Sequence, residues 1–255
     1  MKKITLIFAA LLIGAATLSA QNAFVGGHRA WTFALQGGPM YSVNENGFSY
    51  RENGYGGKLF SLQGSAAIGF EFTEALGLRL SVAYGDNRSA ANTRQTAAHG
   101  FYPYNFRSVN GFLDGTLDLN GNYAVERAFR PRLYAGIGVG HTFHFTKPTG
   151  YGTPKPADNV GWEAANPFHP WQDICEKNTV FGFRAGFTAE YDFSQSFGIF
   201  ADLCGEAYND QYNGLQPTKE DQSAYKGYAG FPLDLRAMLS FGVIFRINIL
   251  YHPVT

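Results

Sequence analysis

The sequence is poor in charge, and the charges that it has cancel. Only 16% of its residues are charged, with 20 basic and 20 acidic side chains, whereas an ordinary soluble domain has about 25% charged residues. A chain without net charge produces no field that would attract a polyanion, so nucleic acid is excluded as a partner. Because 16% of the residues are aromatic, the composition also excludes intrinsic disorder.

Long apolar runs are scarce as well, and the one that is present lies at the start of the chain. Two lysines precede an apolar run over residues 4–16, and small residues precede a predicted cleavage site after Ala20. This order is typical of a secretory signal peptide. We expect residues 1–20 to be a cleaved signal peptide and residues 21–30 to be a short periplasmic segment. No later run reaches the ~20 apolar residues of a membrane-spanning helix.

What the sequence does contain is alternation of apolar and polar residues with a period of two. In the last segment, apolar residues occupy the odd positions from Phe231 to Ile247, and polar or small residues such as Asp234 and Arg236 occupy even positions. A strand with one apolar and one polar face has this period. The segment is much longer than the about five or six residues of a typical soluble strand.

Eight such segments follow one another, and the connections between them alternate in length. The segments span about 31–42, 58–72, 76–86, 106–122, 133–145, 181–193, 197–209 and 231–247, and long polar connections cover 43–57, 87–105, 146–178 and 210–230. Short periplasmic turns, long extracellular loops and an even strand number are typical of bacterial outer-membrane barrels. Residues 31–251 therefore predict an all-β fold, a closed antiparallel up-and-down transmembrane β-barrel. It has eight strands, or ten if the third loop hides a hairpin, and a tail at 252–255.

A soluble barrel or sandwich would also alternate, so the polar faces decide between the alternatives. These faces carry charges of both signs, which would neutralise one another in a narrow lumen. The predicted lumen charge network is Arg79, Asp114, Asp118, Arg184, Glu190, Asp202, Glu206, Asp234 and Arg236. Aromatic residues such as Trp31, Tyr41 and Phe145 lie where apolar faces end, as in interfacial girdles. Both features favour the membrane barrel.

The last strand carries Ser240, Gly242, Phe245 and Ile247 in the order polar, x, Gly, x, x, aromatic, x, apolar. This order resembles the terminal signal that the outer-membrane barrel assembly machinery reads. Over residues 31–251, the pattern is similar to the small eight-stranded outer-membrane β-barrels, the group of OmpX, the OmpA membrane domain and PorT-like proteins. The resemblance implies a bacterial outer-membrane location, contact with outer-membrane lipid and lipopolysaccharide, the assembly machinery as a partner during biogenesis, and no cofactor.

Three functions stay open at this point. Side chains nearly fill the interior of an eight-stranded barrel, so the primary hypothesis is a non-enzymatic structural or surface-interaction protein. A narrow channel or transport accessory is the second hypothesis, and an outer-membrane lipid-modifying enzyme is the third. His141 and His144 point to opposite faces of one strand, and no serine motif adjoins them, so we assign no catalytic, cofactor-binding or metal-binding residue.

Specific recognition is expected in the loops, because the wall is committed to lipid and packing. The candidates for contact with an extracellular protein or glycan are Tyr151, Trp162, Phe168 and Trp171 in the third long loop. The chain has two cysteines, and in an exported protein a Cys175–Cys204 disulfide is one alternative. Hairpin geometry argues against the disulfide, because Cys204 would lie opposite Gly186, well below the loop that holds Cys175.

Overall fold

The computed structural model describes residues 29–43, 60–73, 75–92, 101–121, 128–146, 172–194, 196–209, 212–217 and 233–249. The predicted signal peptide and the C-terminal tail lie outside these residues. The described strands are β1 (Arg29–Val43), β2 (Phe60–Glu71), β3 (Leu76–Asn92), β4 (Phe101–Asp118), β5 (Phe129–Phe143), β6 (Gln172–Ile174), β7 (Lys177–Ser194), β8 (Phe197–Asn209), β9 (Leu215–Pro217) and β10 (Leu233–Ile249). In this part of the chain, no helix is long and apolar enough to cross a membrane.

Eight of the strands form a closed barrel in the order β1-β10-β8-β7-β5-β4-β3-β2. All neighbours are antiparallel, and β10 closes the barrel on β1, from Arg29 opposite Ile249 to Val43 opposite Leu235. Closure leaves no unpaired strand edge in the barrel wall. This matters because an unpaired backbone N–H or C=O group is costly in hydrocarbon. The two short strands β6 and β9 pair with each other in a separate sheet. The eight-stranded fold is therefore confirmed, and the described part of the third long connection adds no hairpin to the wall.

Alternate side chains point into and out of the barrel along each wall strand. In β8, Asp202, Cys204 and Glu206 are buried, whereas Leu203 between them is 59% exposed. The outward face is a continuous apolar surface, with Leu62 68% exposed and Phe241 60% exposed. A soluble barrel would bury its apolar face, whereas this one buries its polar face. An apolar exterior of this extent is the surface that lipid covers.

The short connections lie at one end of the barrel, which we name the turn end, and the long ones lie at the other, the loop end. Hydroxyl side chains hold two of the turns. Thr73 Oγ1 accepts a hydrogen bond from the Leu76 backbone N–H at 2.8 Å, and Ser194 Oγ accepts one from the Phe197 N–H at 3.1 Å. Serine and threonine favour turns because they bond the backbone locally in this way.

Aromatic side chains surround the outside of the turn end. The ring centroids of Trp31 and Phe70 lie 5.0 Å apart. Those of Phe193 and Phe197 lie 5.9 Å apart, and Phe197 contacts Phe245 at 5.2 Å. Rings at this level of a membrane barrel form an interfacial girdle.

Strands β3 and β4 extend further toward the loop end than predicted. The predicted loop bounds at 87–105 are wrong, since β3 continues to Asn92 and β4 begins at Phe101. The reason is that polar residues at the end of β3 face the lumen. Asn87 and Ser89 are fully buried, and Asn87 Nδ2 donates to Ser108 Oγ on β4 at 2.8 Å. In a soluble protein, such polar residues would indicate a solvent-exposed loop. In this barrel they line the lumen.

The predicted faces of His144 and Phe145 are wrong. Strand β5 ends at Phe143, and His144 adopts a left-handed conformation with φ of 54°, which reverses the alternation. Phe145 consequently turns inward and stacks on Phe106, with 5.0 Å between the ring centroids. It belongs to the packing inside the barrel and not to the interfacial girdle.

Candidate functional site

The lumen contains three groups of charged side chains stacked along the barrel axis. The structure buries eight of the nine predicted lumen residues and half-buries the ninth, Arg79. We name the groups the turn-end cluster, the central cluster and the loop-end cluster. The turn-end cluster contains Glu71, Asp118, Arg130, Arg132, Glu190, Asp192 and Arg246. The central cluster contains Arg79, Ser81, Asp114, Tyr134, Arg184, Thr188 and Asp202. The loop-end cluster contains Gln63, Asn110, Glu206, Tyr208, Tyr212 and Arg236.

The turn-end cluster pairs three arginines with four carboxylates. Arg130 Nε lies 2.7 Å from Asp118 Oδ2, and Arg246 Nη1 lies 2.6 Å from Asp192 Oδ1. Arg246 also pairs with Glu190. Such charge-assisted bonds are stronger than neutral ones, so this cluster joins β4, β5, β7 and β10 near the turns.

The predicted lumen charge network contains only Asp118 and Glu190 of the turn-end cluster. Arg132, which pairs with Glu71 and lies 3.4 Å from Glu190, was not assigned to the lumen network. The signal was present, since Arg130 and Arg132 occupy the even, inward positions of β5. They lie beside a turn at the start of β5, where too few residues alternate for the pattern to indicate which side chains face the lumen.

The central cluster is organised around the fully buried carboxylate of Asp114. Arg79 Nε donates to Asp114 Oδ2 at 2.9 Å, and Arg184 Nε donates to Asp114 Oδ1 at 2.7 Å. The side chain of Tyr134 stacks under this pair, with the Arg79 guanidinium 4.0 Å from its ring centroid. Gly136 makes room, because a Cβ there would lie 2.3 Å from Asp114 Oδ1.

The central cluster also holds Asp202 through neutral donors. Tyr134 donates its hydroxyl to Asp202 Oδ2 at 2.9 Å, and Thr188 donates to Oδ1 at 2.7 Å. The two carboxylates of the cluster therefore accept bonds from β3, β5 and β7 together. Satisfied buried networks of this kind rigidify a core.

The loop-end cluster is built on Arg236, which is 2% exposed. Its Nη1 lies 3.2 Å from Glu206 Oε2, and its Nη2 donates to Gln63 Oε1 at 2.8 Å. Tyr208 donates to Glu206 Oε2 at 2.6 Å, and Arg236 donates to the Tyr212 hydroxyl. Burial raises the pKa of the Tyr212 phenol above its ordinary value of 10.0, against the opposing effect of Arg236. Tyr212 therefore remains a neutral partner of the arginine.

Aromatic side chains fill the lumen toward the loop end, and two of them, Tyr208 and Tyr212, also belong to the loop-end cluster. We name Tyr104, Phe106, Phe145, Tyr208 and Tyr212 the aromatic lid. The rings of Tyr208 and Tyr212 stack with centroids 3.9 Å apart, and Phe106 packs edge-on against Tyr212 at 5.9 Å. The Tyr104 hydroxyl donates to the Asn213 carbonyl oxygen at 2.6 Å.

The lid depends on the start of the fourth long connection, which folds back into the barrel. Gly214 has a φ of +79°, and a Cβ there would lie 2.4 Å from the ring of Phe145, so glycine is required both for the conformation and for the space. The Gly214 carbonyl accepts the backbone N–H of Cys175 at 2.9 Å. The sequence pattern predicts only a long polar connection over 210–230. No periodic signal marks Tyr212, because it lies beyond the end of β8.

A small cavity of about 40 Å³ lies between the turn-end and central clusters. Its lining includes Glu71 and Arg132 on one side and Arg79, Tyr134 and Thr188 on the other. A water molecule needs roughly 10–15 Å³ of such volume, so the cavity has room for about three waters. Charged clusters bound it toward both ends of the barrel.

The remaining predicted residues are not brought into one site. His141 faces outward near the loop end, with Nδ1 2.8 Å from Thr179 Oγ1 on β7. The strand partners directly opposite it are Val109 and Thr179, so neither neighbouring strand offers a carboxylate there. His144 is exposed and is separated from Asp202 and Glu206 by its position beyond β5. In the described part of the chain, no three His, Cys, Asp or Glu side chains are placed to share a metal ion.

The predicted assembly signal lies on β10, the strand that closes the barrel. Ser240 and Gly242 point inward, and Phe245 and Ile247 point outward. The loop candidates Tyr151, Trp162, Phe168 and Trp171 lie outside the described residues.

Cys175 and Cys204 are not bridged. Cys204 is 3% exposed within the lumen, whereas Cys175 lies between β6 and β7 at the loop end.

Together these features define a class, a closed eight-stranded transmembrane β-barrel whose lumen is filled by side chains. The chain is similar to the crystal structure of a major outer membrane protein from Thermus thermophilus, with 15% identity, a TM-score of 0.50, and coverage of 85% of this chain and 99% of that one. It also matches Neisserial surface protein A, from Neisseria, at 10% identity and a TM-score of 0.41, over 87% and 98% of the chains. A third match is the N-terminal β-barrel domain of OprF from Pseudomonas aeruginosa, at 13% identity and a TM-score of 0.37, over 87% and 99%.

The similarity to the Thermus protein supports the barrel fold, and at this identity it carries the fold alone. No protein-family model matches the chain, and no curated protein is significantly similar to it.

Proposed function

We propose that the chain is a bacterial outer-membrane protein with a structural or surface-interaction role, without enzymatic activity and without a conducting lumen. The observation that carries this proposal is the filled lumen, in which three charged clusters and the aromatic lid follow one another. A permeating ion would have to separate pairs such as Arg184 and Asp114. Breaking a buried ion pair costs about 3–5 kcal/mol, and such a barrier recurs at each cluster.

The remaining parts of the proposal concern export and orientation. Residues 1–20 act as the cleaved signal peptide, and Ser240, Gly242, Phe245 and Ile247 form the signal for the assembly machinery. The long loops face the outside, where lipid and lipopolysaccharide surround the barrel. Tyr151, Trp162, Phe168 and Trp171 contact an extracellular protein or glycan, because aromatic rings on a solvent loop offer large contact areas at low entropic cost.

The first test is planar-bilayer conductance of the refolded barrel. Folding is established beforehand by the gel shift that a closed barrel undergoes on heating, and a general porin in the same bilayer serves as the positive control. We expect no discrete openings from the folded protein. Reproducible openings would contradict the filled-lumen argument and would support the narrow channel.

The second test concerns the loops and uses the three tryptophans of the chain. Binding of the folded barrel to an array of glycans and extracellular proteins is measured for the wild type and for a Trp162→Ala/Trp171→Ala variant. Trp31→Ala is the matched control, because Trp31 lies on the lipid-facing girdle and is 42% exposed there. We expect the loop variant alone to lose at least tenfold in affinity. Equal losses in both variants, or no binding by the wild type, would contradict the proposed surface interaction.

A further inference from the structure

Cationic side chains lie together on the outside of the barrel at the loop ends of β3, β4, β5 and β7. Arg107 and Lys177 flank Phe143 in register, one on each side. Arg88 lies on β3, closer to the loops than Asp86, which is the strand partner of Arg107. All three cationic side chains are exposed. We define the rim patch as Arg88, Arg107, His141, Phe143, His144 and Lys177.

The rim patch is centred on the ring of Phe143. The Phe143 ring centroid lies 5.7 Å from that of His141, in a stacked arrangement, and 5.2 Å from that of His144. Neighbouring strands lie about 4.8 Å apart, so the backbones at Arg107 and Lys177, two strands apart, are separated by about 10 Å. Both side chains are long and flexible. A single anion above Phe143 is therefore within reach of both cations.

An apolar surface begins just below the rim patch. One row of register partners there consists of Val82, Gly111, Val139 and Phe181. Val139 is 53% exposed and Phe181 is 41% exposed. A Cβ at Gly111 would meet nothing within 4 Å, so this row has an open gap between Val82 and Val139. Cations above an apolar surface with a gap match a lipid that has an anionic headgroup.

Solvation of the barrel rim is the competing explanation, because charged side chains also face water. It does not explain why the cations lie on one side. In the described part of the chain, the outward side chains at the loop ends of β8, β10, β1 and β2 carry no charge, and they include Asn209, Leu233 and Phe60. A rim that needed only solvation would carry charge around its whole circumference.

The acidic neighbours of the rim patch do not neutralise it. They are Asp86 and Glu176, two acids against the three cations Arg88, Arg107 and Lys177. Asp86 lies 3.8 Å from Arg107, which is longer than a hydrogen bond of about 2.7–3.2 Å. The Arg107 guanidinium therefore keeps donors for another anion.

We propose that the rim patch binds the phosphorylated sugar headgroup of lipopolysaccharide, with Arg107 and Lys177 contacting one phosphate group. A guanidinium donates two parallel hydrogen bonds to phosphate oxygens, and a lysine ammonium adds a point charge. The acyl chains lie against Val139 and Phe181 and over Gly111. The inference rests on the proposed outer-membrane location, which places the loop end in the outer leaflet.

The test compares two forms of lipid A, the membrane anchor of lipopolysaccharide, with and without its phosphate groups and with the same acyl chains. The refolded barrel is titrated with each form, and bound lipid is counted by native mass spectrometry. We expect the phosphorylated form to bind at least about tenfold more tightly. Arg107→Gln/Lys177→Gln should remove this difference, because it removes both charges. Asp86→Asn should tighten binding, because it removes an acid that repels phosphate.

Arg51→Gln/Lys58→Gln is the matched control, since it also removes one arginine and one lysine, from the connection before β2. It should bind as the wild type does. Equal affinity of the folded wild type for both forms of lipid A, or equal weakening in the control, would overturn the proposal. Binding of phosphatidylglycerol as tightly as lipid A would also overturn it, because the surface would then attract any anionic lipid.

The same samples separate this inference from the proposed function. The heat-dependent gel shift and the bilayer conductance are recorded for each variant. Discrete openings would contradict the proposed function. A folded barrel without openings that binds both forms of lipid A equally would contradict the lipid site alone.

Discussion

Replacing Asp114 with asparagine tests whether the central cluster holds the barrel together. Asp114 is fully buried and is the carboxylate for both Arg79 and Arg184, whose side chains are 17% and 5% exposed. Asparagine keeps the shape and removes the charge, which leaves two arginines facing each other without compensation. Breaking a buried ion pair costs about 3–5 kcal/mol. Because Arg79 is partly exposed, we expect the lower end, about 3 kcal/mol, which is about a hundredfold in the unfolding equilibrium.

The matched control is Asp86→Asn, the same chemical change on the outside of the same barrel. Asp86 lies 3.8 Å from Arg107, and the two side chains are 70% and 51% exposed. An exposed ion pair contributes about 0–1 kcal/mol. Both variants are refolded in the same detergent, and their denaturant midpoints are compared by the gel shift.

A third variant separates lost charge from lost packing. Asp114→Asn combined with Arg184→Met removes one uncompensated charge, and part of the lost stability should return, since residues in one network are not additive. The reasoning is refuted if Asp114→Asn costs no more than Asp86→Asn. It is also refuted if the double variant is no more stable than Asp114→Asn alone.

Two further predictions use matched pairs on one part of the wall and the same denaturation assay. A Cβ at Gly138 would clash with the backbone carbonyl oxygen of Gly111 and would lie 2.5 Å from the ring of Phe112, whereas one at Gly111 would meet nothing within 4 Å. Gly138→Ala should therefore cost about 1–3 kcal/mol and Gly111→Ala close to nothing, and equal midpoints would contradict the packing argument. Leu113 is 48% exposed in the middle of β4, and Leu119 is 43% exposed just beyond it. Leu113→Lys should cost about 2–4 kcal/mol and Leu119→Lys about 0–1 kcal/mol, because the penalty depends on depth in lipid, and the reverse order would place the lipid band elsewhere.

The wall was predictable because lipid outside and polar side chains inside impose one period on every strand. Asp114, Arg184 and Arg236 are identified as inward residues by parity alone. The pairing of these residues is not identified in this way, since the bond from Arg184 to Asp114 joins β7 to β4 over the intervening strand β5. Such a contact depends on strand register and barrel stagger, which a period of two does not contain.

The misses have local causes. His144 reverses the alternation through a single left-handed residue, and nothing in the sequence around it announces that change. Tyr212 enters the lumen from a connection, so no periodicity marks it. Asn87 was assigned to a loop because polar residues usually indicate solvent, whereas in this fold the polar environment is the barrel interior.

The pairing of charges inside the barrel also explains why the amino-acid composition alone indicates little about function. Among the described residues, six lumen carboxylates lie within 4.0 Å of an arginine, namely Glu71, Asp114, Asp118, Glu190, Asp192 and Glu206. Asp202 accepts from Tyr134 and Thr188, and Asp234 accepts the backbone N–H of Asn213 at 3.0 Å. A charge in low dielectric is tolerated only when it is compensated in this way. The balanced composition therefore reflects the solvation of the lumen by its own side chains.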